Sequence, residues 1–413
     1  MRRLFETKAS KLFALLTFLL FMTMLTFQLI NERFWLHDLE VMYAAATALL
    51  ENGQIYGTSV GLDTGFYKYS PFTLFFFVPY ALLPYKVACI LHFLITLACA
   101  ILTFPLLERI IRRYLFDFKK KYYLTLFIVL IAILIHLVRD LHLGNINMIL
   151  VFLLTLSIQY LIENKYVKFG IIIAFIIITK PYFIVFVLPL LLHKKYKEIL
   201  SIGAVGALSV VLSLILIGFS KGIYLYFDWF AAMLDHSSYL KSNNTIFYIL
   251  NRYTGISIGT EFSFLLLGII AVITSLYFWR IIRINNKNEV LSHEERTNRK
   301  NTALIIHLFV LIAFIPNVFI TDTEHFLFSL PLISILIQYF SIPKRFVWIP
   351  LIAFMIFLYG GNSTDMMGDY LNENYKSMGL LGIGNLMIIT TALIVYHKNR
   401  NSWGSESVKL DNN

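Results

Sequence analysis

In a largely apolar chain, a few charged and amide residues stand where the apolar runs end, and their types suit a base working beside an anion. His37-Asp38-Leu39-Glu40 follows directly on the first apolar run. A carboxylate at a membrane rim is partly desolvated, which raises its basicity toward an alcohol. Asp is equally a favoured N-cap for the short amphipathic helix expected over Tyr43 to Leu50, and the two roles are compatible. Arg139, Asp140, His142, Gly144, Asn145 and Asn147 gather at the mouth of another run. Amides donate and accept hydrogen bonds and Arg grips phosphate oxygens, so this group reads either as a patch for a sugar or phosphate or as helix capping with snorkelling. Lys180-Pro181 interrupts a third run; Asp228, Asp235, His236, Lys241, Asn243, Asn244 and Arg252 share one polar stretch, and Asp322, Glu324 and His325 crowd another. Asp and His at these spacings raise the thought of a metal, but no ligand motif such as H-E-x-x-H is present, so neither a metal nor another cofactor is expected. His325 reads instead as a cation or donor facing an anionic head group.

The elements that must hold these residues are membrane helices. Of 413 residues, 58% are hydrophobic and only 14% charged, against about 25% charged in an ordinary soluble domain. That balance excludes a secreted domain, a disordered chain and a soluble nucleic-acid binder, although the formal charge is +11. Cys89 and Cys99 fall in an apolar run and read as small buried hydrophobes. The run Leu12 to Ile30 follows Arg2, Arg3, Lys8 and Lys11 like a signal peptide, but it is long enough to span and lacks a small-residue cleavage site, so an uncleaved first span is expected.

Charge placement sets the expected topology. The stretch Pro71 to Tyr85 is apolar but short and broken by Pro79 and Pro84. If it crossed, Arg109, Arg112, Arg113 and Lys119 to Lys121 would lie outside, against the positive-inside rule, so an interfacial or re-entrant helix is expected. Phe169 to Leu192 poses the same problem: a single crossing would export Lys194, Lys195 and Lys197, whereas a hairpin broken at Lys180-Pro181 keeps them inside. With both choices, about three quarters of the 35 lysines and arginines face the cytoplasm together with both termini. The reading is one all-α polytopic bundle of about 10–12 membrane helices with outer-face juxtamembrane helices. It divides into a first span (12–30), an outer loop (31–85), core spans (86–218), a second outer loop (219–261), C-terminal spans (262–396) and a cytoplasmic tail (397–413).

In order, these features resemble family 87 of the glycosyltransferases, polytopic enzymes of the GT-C type that include α-mannosyltransferases using polyprenyl-phosphate mannose. Asp38 stands where that family has its proposed catalytic base, and Tyr69-Ser-Pro71 where it has Tyr-Pro-Pro or a similar run. Gly144-Asn145-Ile146-Asn147 stands for Gly-Gln-x-Asn and Lys180-Pro181 for the Lys of the broken hairpin. Asn243-Asn244-Thr245 stands for Asn-Gln-Ser, Arg252 for a later Arg and His325 for a late His. The departures at Ser70, Asn145 and Asn244 bear on the choice of sugar and acceptor.

The resemblance implies a multi-pass plasma-membrane enzyme moving a hexose such as mannose from a polyprenyl-phosphate-linked donor to a lipid or glycan acceptor at the outer face. Its implied site has Asp38 as general base and Lys180, Arg252 and His325 on the donor phosphate. His37, Tyr69, Asn145, Asn147, Asn243 and Asn244 would hold sugar or acceptor. A transporter or flippase of a lipid-linked or anionic substrate is the competing reading, drawn from the broken hairpin, but no inverted repeat supports it. A non-catalytic partner in envelope assembly is a third.

Overall fold

A computed structural model describes residues 2–5, 7–60, 65–115, 124–239, 243–287, 292–319 and 321–403. Lys119 to Lys121, Lys241 and the tail beyond Trp403 lie outside them. Apart from a two-residue pairing of Ser59–Val60 with Gly65–Phe66, the regular structure of the described residues is helical. These are α1 (Lys8–Ile30), α2 (His37–Leu50), α3 (Leu74–Ala81), α4 (Tyr85–Tyr114), α5 (Leu124–Leu143), α6 (Asn147–Ile162), α7 (Tyr166–Thr179), α8 (Val187–Leu192) and α9 (Tyr196–Ile217). There follow α10 (Phe219–Tyr239), α11 (Ile246–Thr254), α12 (Ser263–Lys287), α13 (His293–Val318), α14 (Leu330–Phe340), α15 (Ile349–Gly360), α16 (Thr364–Ser377) and α17 (Leu380–Asn399). The protein is an all-α polytopic bundle, with 8 described segments long and apolar enough to cross a membrane.

Burial sorts these segments into layers. The most apolar window of α13 is 89% buried, that of α9 only 17% and that of α1 only 22%. With lipid as solvent, apolar exposure carries no penalty, so α1 and α9 form the rim and α13 the centre.

Hydrogen bonds between helix ends define two ends of the bundle. Tyr85 Oη at the start of α4 donates to Trp35 O just before α2, at 2.8 Å. At the far end of α4, Tyr114 O accepts from Thr302 in the first half of α13, at 2.7 Å. The start of α12 meets the end of α13 through Ser263 Oγ and Val318 O, at 3.0 Å. The ends of α14 and α17 meet through Asn399 Nδ2 and Tyr339 Oη, at 2.9 Å. Followed along the chain, these ties put the start of α1 and the end of α17 at the same end, opposite the α1–α2 loop.

The stretch Pro71 to Tyr85 does not cross: α3 is 8 residues long, about 12 Å at the helical rise, and packs along α2. The hairpin is also present. Helix α7 stops at Lys180, whose backbone is extended (φ −134°, ψ 95°), because Pro181 disfavours helical geometry before it. A 3-10 turn (Pro181–Phe186) and α8 then lead back, and Lys195 Nζ donates to Asn164 Oδ1 at 3.3 Å, closing the hairpin at its base. Lys180 is therefore the tip, carried to the Asp38 end, while Lys194, Lys195 and Lys197 remain at the other.

One local expectation is corrected. Helix α2 begins at His37, not near Tyr43, so Asp38 lies inside its first turn; the N-cap position falls to Leu36, without a side-chain cap bond. The carboxylate that would have capped the helix is engaged elsewhere.

Candidate active site

Two backbone positions with positive φ bring the site together. Leu36 (φ 49°) is fully buried against Gly144 (φ 70°), where an added Cβ would meet the Leu36 side chain at 2.9 Å. A glycine is required there on both counts, conformation and space. Through this contact the first turn of α2 meets the loop joining α5 to α6.

Asn145, next to that glycine, donates through Nδ2 to Asp38 Oδ2 at 2.6 Å and to Glu324 Oε1 at 3.3 Å. Its orientation is fixed because its Oδ1 accepts from Ile146 N at 2.8 Å and its carbonyl meets His92 Nε2 at 3.2 Å. One amide thus bridges carboxylates from sequence-distant elements. Asp140 is completely buried and uses both oxygens: Oδ1 accepts from Asn147 Nδ2 and Oδ2 from Met148 N, each at 3.0 Å. That second bond satisfies an otherwise unpaired donor in the first turn of α6, which is the capping role considered for this loop.

From the hairpin tip, Lys180 Nζ donates to Asn147 Oδ1 at 2.7 Å and lies 2.7 Å from His325 Nε2. An ammonium has only donors, so Nε2 accepts and the ring is neutral, with its proton on Nδ1. That nitrogen is 3.9 Å from Glu324 Oε1. Arg139 braces the segment carrying these residues, donating to Thr323 Oγ1 at 2.5 Å and to Asn362 O at 2.8 Å.

Asp38 is partly exposed, and its carboxyl is held above the usual carboxylate range, first by burial and then by the negative charge of Asp322. The Asn145 bond pulls the other way, because it stabilises the ionised form. Lys68, in the loop after Gly65–Phe66, is pushed down by burial and held up by Asp322, Asp38 and Glu324, so it belongs to the same field.

The cluster gathers Asp38, Asn145, Asn147, Lys180 and His325 of the residues singled out in the sequence. Tyr69 stands beside it, close enough to feel Asp38, and its carbonyl accepts from Tyr56 Oη at 2.8 Å. His37 points along α2 to Glu40, 3.4 Å away, and its ring lies 5.7 Å from that of Trp35. The backbone of Asn243 and Asn244 is tucked against Gly379 and Gly382, and Asn244 O accepts from Asn317 at 3.0 Å. Arg252 is exposed on the last turn of α11, a helix packed on α13 and α17, and takes no part in the bonds just described. Glu324 and Asp322, noted in the sequence only as neighbours of His325, and Lys68 enter the cluster without having been given a role. The crowding of Asp322 and Glu324 beside His325 was the available signal, but spacing alone does not say that Glu324 is buried while Asp322 is exposed.

Curated proteins and solved structures give no match. The profile of glycosyltransferase family 87 matches residues 66–314. That stretch carries Asn145, Asn147 and Lys180 and stops short of Asp38 on one side and His325 on the other, and because it covers more than half of the sequence, the chain belongs to glycosyltransferase family 87.

Proposed function

We propose that this membrane glycosyltransferase moves a hexose from a polyprenyl-phosphate-linked donor to a lipid or glycan acceptor, with Asp38 as the general base. The observation that carries the reading is the meeting of a raised-pKa carboxylate, partly exposed, with the buried ammonium of Lys180 around the Asn145–Asn147 loop. A base needs a proton affinity near the working pH, and a departing phosphate needs fixed positive charge.

In the proposed step an acceptor hydroxyl gives its proton to Asp38 while its oxygen forms a bond to the anomeric carbon. The bond from that carbon to the phosphate oxygen breaks in the same displacement, and its electron pair leaves on the lipid phosphate. Lys180 meets the developing charge, and His325, whose Nδ1 proton faces Glu324, holds the ammonium in place. Lys68, partly exposed and within the field of Asp38 and Glu324, supplies a second cation. The proposed phosphate set is therefore Lys180, backed by His325, and Lys68, without the exposed Arg252. Tyr69, partly exposed beside Asp38, is the side chain proposed to touch the sugar, and lipid chains surround the bundle.

The same proposal sets the site at the outer face of the plasma membrane with both termini in the cytoplasm. Its support is charge: Arg112, Arg113, Lys194, Lys195, Arg296, Arg299, Lys300 and Lys398 lie at the end away from Asp38. Nucleotide sugars are absent from the outer face, which favours a lipid-borne donor.

The test is transfer by the purified protein from a panel of radiolabelled polyprenyl-phosphate monosaccharides to a membrane-lipid extract. Transfer from one donor by the wild type, lost in Asp38→Asn, is the expected result. Equal transfer by both proteins would remove Asp38 as base, and transfer from nucleotide sugars alone would remove the lipid donor.

A further inference from the structure

The loop that carries Lys68 and Tyr69 into the site runs from the two-residue strand Gly65–Phe66 to the 3-10 turn Pro71–Thr73. Three successive carbonyls along it are held by aromatic side chains. Trp229 Nε1 donates to Lys68 O at 3.0 Å, Tyr56 Oη to Tyr69 O at 2.8 Å and Tyr67 Oη to Ser70 O at 3.4 Å. A segment between regular elements finds its backbone partners in side chains or water, and an indole or phenol brings a donor on a rigid body with few torsions to fix.

The three tethers differ in origin. Tyr56 and Tyr67 belong to the same outer stretch as the loop, with ring centroids 5.6 Å apart, and shape it locally. Trp229 comes from α10, 161 residues beyond Lys68. On that helix Gly222, Leu225 and Trp229 recur at helical spacing on the inward side, while Phe227, Phe230 and Leu234 on the opposite side are exposed. An apolar outer side is what a helix lying along lipid presents.

Helix α10 is itself anchored. Tyr226 Oη lies 2.8 Å from Ser213 Oγ of α9, and Lys221 Nζ donates to Asn52 Oδ1 in the turn after α2 at 2.9 Å. The Tyr226 and Trp229 rings meet edge to face at 6.0 Å, which braces the indole from its own helix. What the indole fixes is the root of Lys68. A lysine ammonium rides on a flexible four-carbon stem, so it reaches a defined point only if its backbone is held. With the carbonyls of Lys68 and Tyr69 both held, the Lys68 ammonium stands in the field of Asp322, Asp38 and Glu324.

We propose that Trp229 is a positioning residue for donor binding: its indole N–H holds the Lys68 backbone so that the ammonium meets the lipid phosphate. The inference rests on the reading of Lys68 as a phosphate cation and adds the residue that places it. The two cations are then held by different means, Lys180 by the broken hairpin and Lys68 by an indole from a helix of the second outer stretch.

Trp229→Phe removes the N–H and keeps an aromatic body; Lys68→Met removes the cation and keeps the length. The test is a double-mutant cycle on the full chain in lipid nanodiscs, read as the Kd for farnesyl phosphate, a lipid phosphate of the class the proposed donor leaves behind. Trp229→Phe should weaken binding about three- to tenfold, as on loss of one neutral hydrogen bond, and Lys68→Met by at least as much. The double variant should bind like Lys68→Met alone. An indole that only stabilises the fold would impose the same fold-loss with and without Lys68, and that result overturns the inference. Farnesyl phosphate binding weakened by Lys68→Met but untouched by Trp229→Phe leaves Lys68 on the phosphate and removes Trp229. Wild-type affinity in Lys68→Met, or no binding to the wild type, removes Lys68 from the phosphate set, and the role given to Trp229 falls with it.

Discussion

Two of the buried polar groups among the described residues differ in what they leave open. Around Asn317 and Asn385 everything is neutral and mutually satisfied. Asn385 donates to Ala313 O and Asn317 Oδ1, at 2.8 and 2.6 Å, while its own oxygen accepts from Ser329 Oγ at 2.5 Å. Asn317 donates to Asn244 O and Gly382 O, each at 3.0 Å. Every amide proton and oxygen there has a partner, so the network ties α13, α17 and the segment before α14 together and has nothing left for a ligand. Around Asn145 and Asn147 the same residue type orients charges instead. Asp38 is engaged through one oxygen and stays partly exposed, and Lys180 is held at a hairpin tip. Asparagine is thus structural glue in one place and a positioning device in the other. The distinction lies in whether charge is present and left partly exposed, as it is at Asp38.

The sharpest way to break this contrast is Lys180→Met, which removes the buried charge and keeps the bulk. Turnover should fall about 10²–10³-fold, as on loss of a group that stabilises developing negative charge, measured as kcat at saturating donor. Unchanged kcat would take Lys180 out of the reacting centre. The converse variant, Asn385→Leu, orphans Ser329 and one side of Asn317, and should cost about 1–3 kcal/mol in stability. Its turnover per folded molecule should match the wild type, with thermal unfolding and activity read on one sample.

Gly144→Ala tests how the two loops are brought together. It imposes a side chain at φ 70° and against Leu36, for about 1–2 kcal/mol of strain. The expected signature is a lower kcat with little change in donor KM, because Asp38 loses register with Asn145 rather than the donor losing its contacts. The smallest effect is expected for Asp322→Asn. Removing that negative charge makes Asp38 easier to ionise, so the acidic limb of the kcat/KM profile should move to lower pH. A shift to higher pH would contradict the charge arrangement.

Much of the scaffold was legible in the sequence because the bilayer imposes a simple rule on it. Apolar length marks the crossings, and the burden of exporting Lys194, Lys195 and Lys197 required a hairpin broken at Lys180. Asn145, Asn147 and Lys180 were legible in the same way, as polar residues at places where apolar runs break. The rest depends on tertiary contact. Nothing local in Thr323-Glu324-His325 says that Glu324 is buried beneath Asn145, nor that Asn385, in a span of even hydrophobicity, closes a network with Asn317. The early start of α2 was hidden because Leu36 adopts a left-handed conformation that only its packing on Gly144 makes tolerable.

The central claim is that Asp38 removes the acceptor proton. Its most direct test is the single-turnover transfer rate of Asp38→Asn beside wild type, with donor affinity measured on the same preparations. The rate should fall by about 10²–10⁴ while donor affinity and unfolding temperature stay at wild-type values. A rate within a few-fold of wild type, or a loss wholly accounted for by weaker donor binding, would contradict the claim.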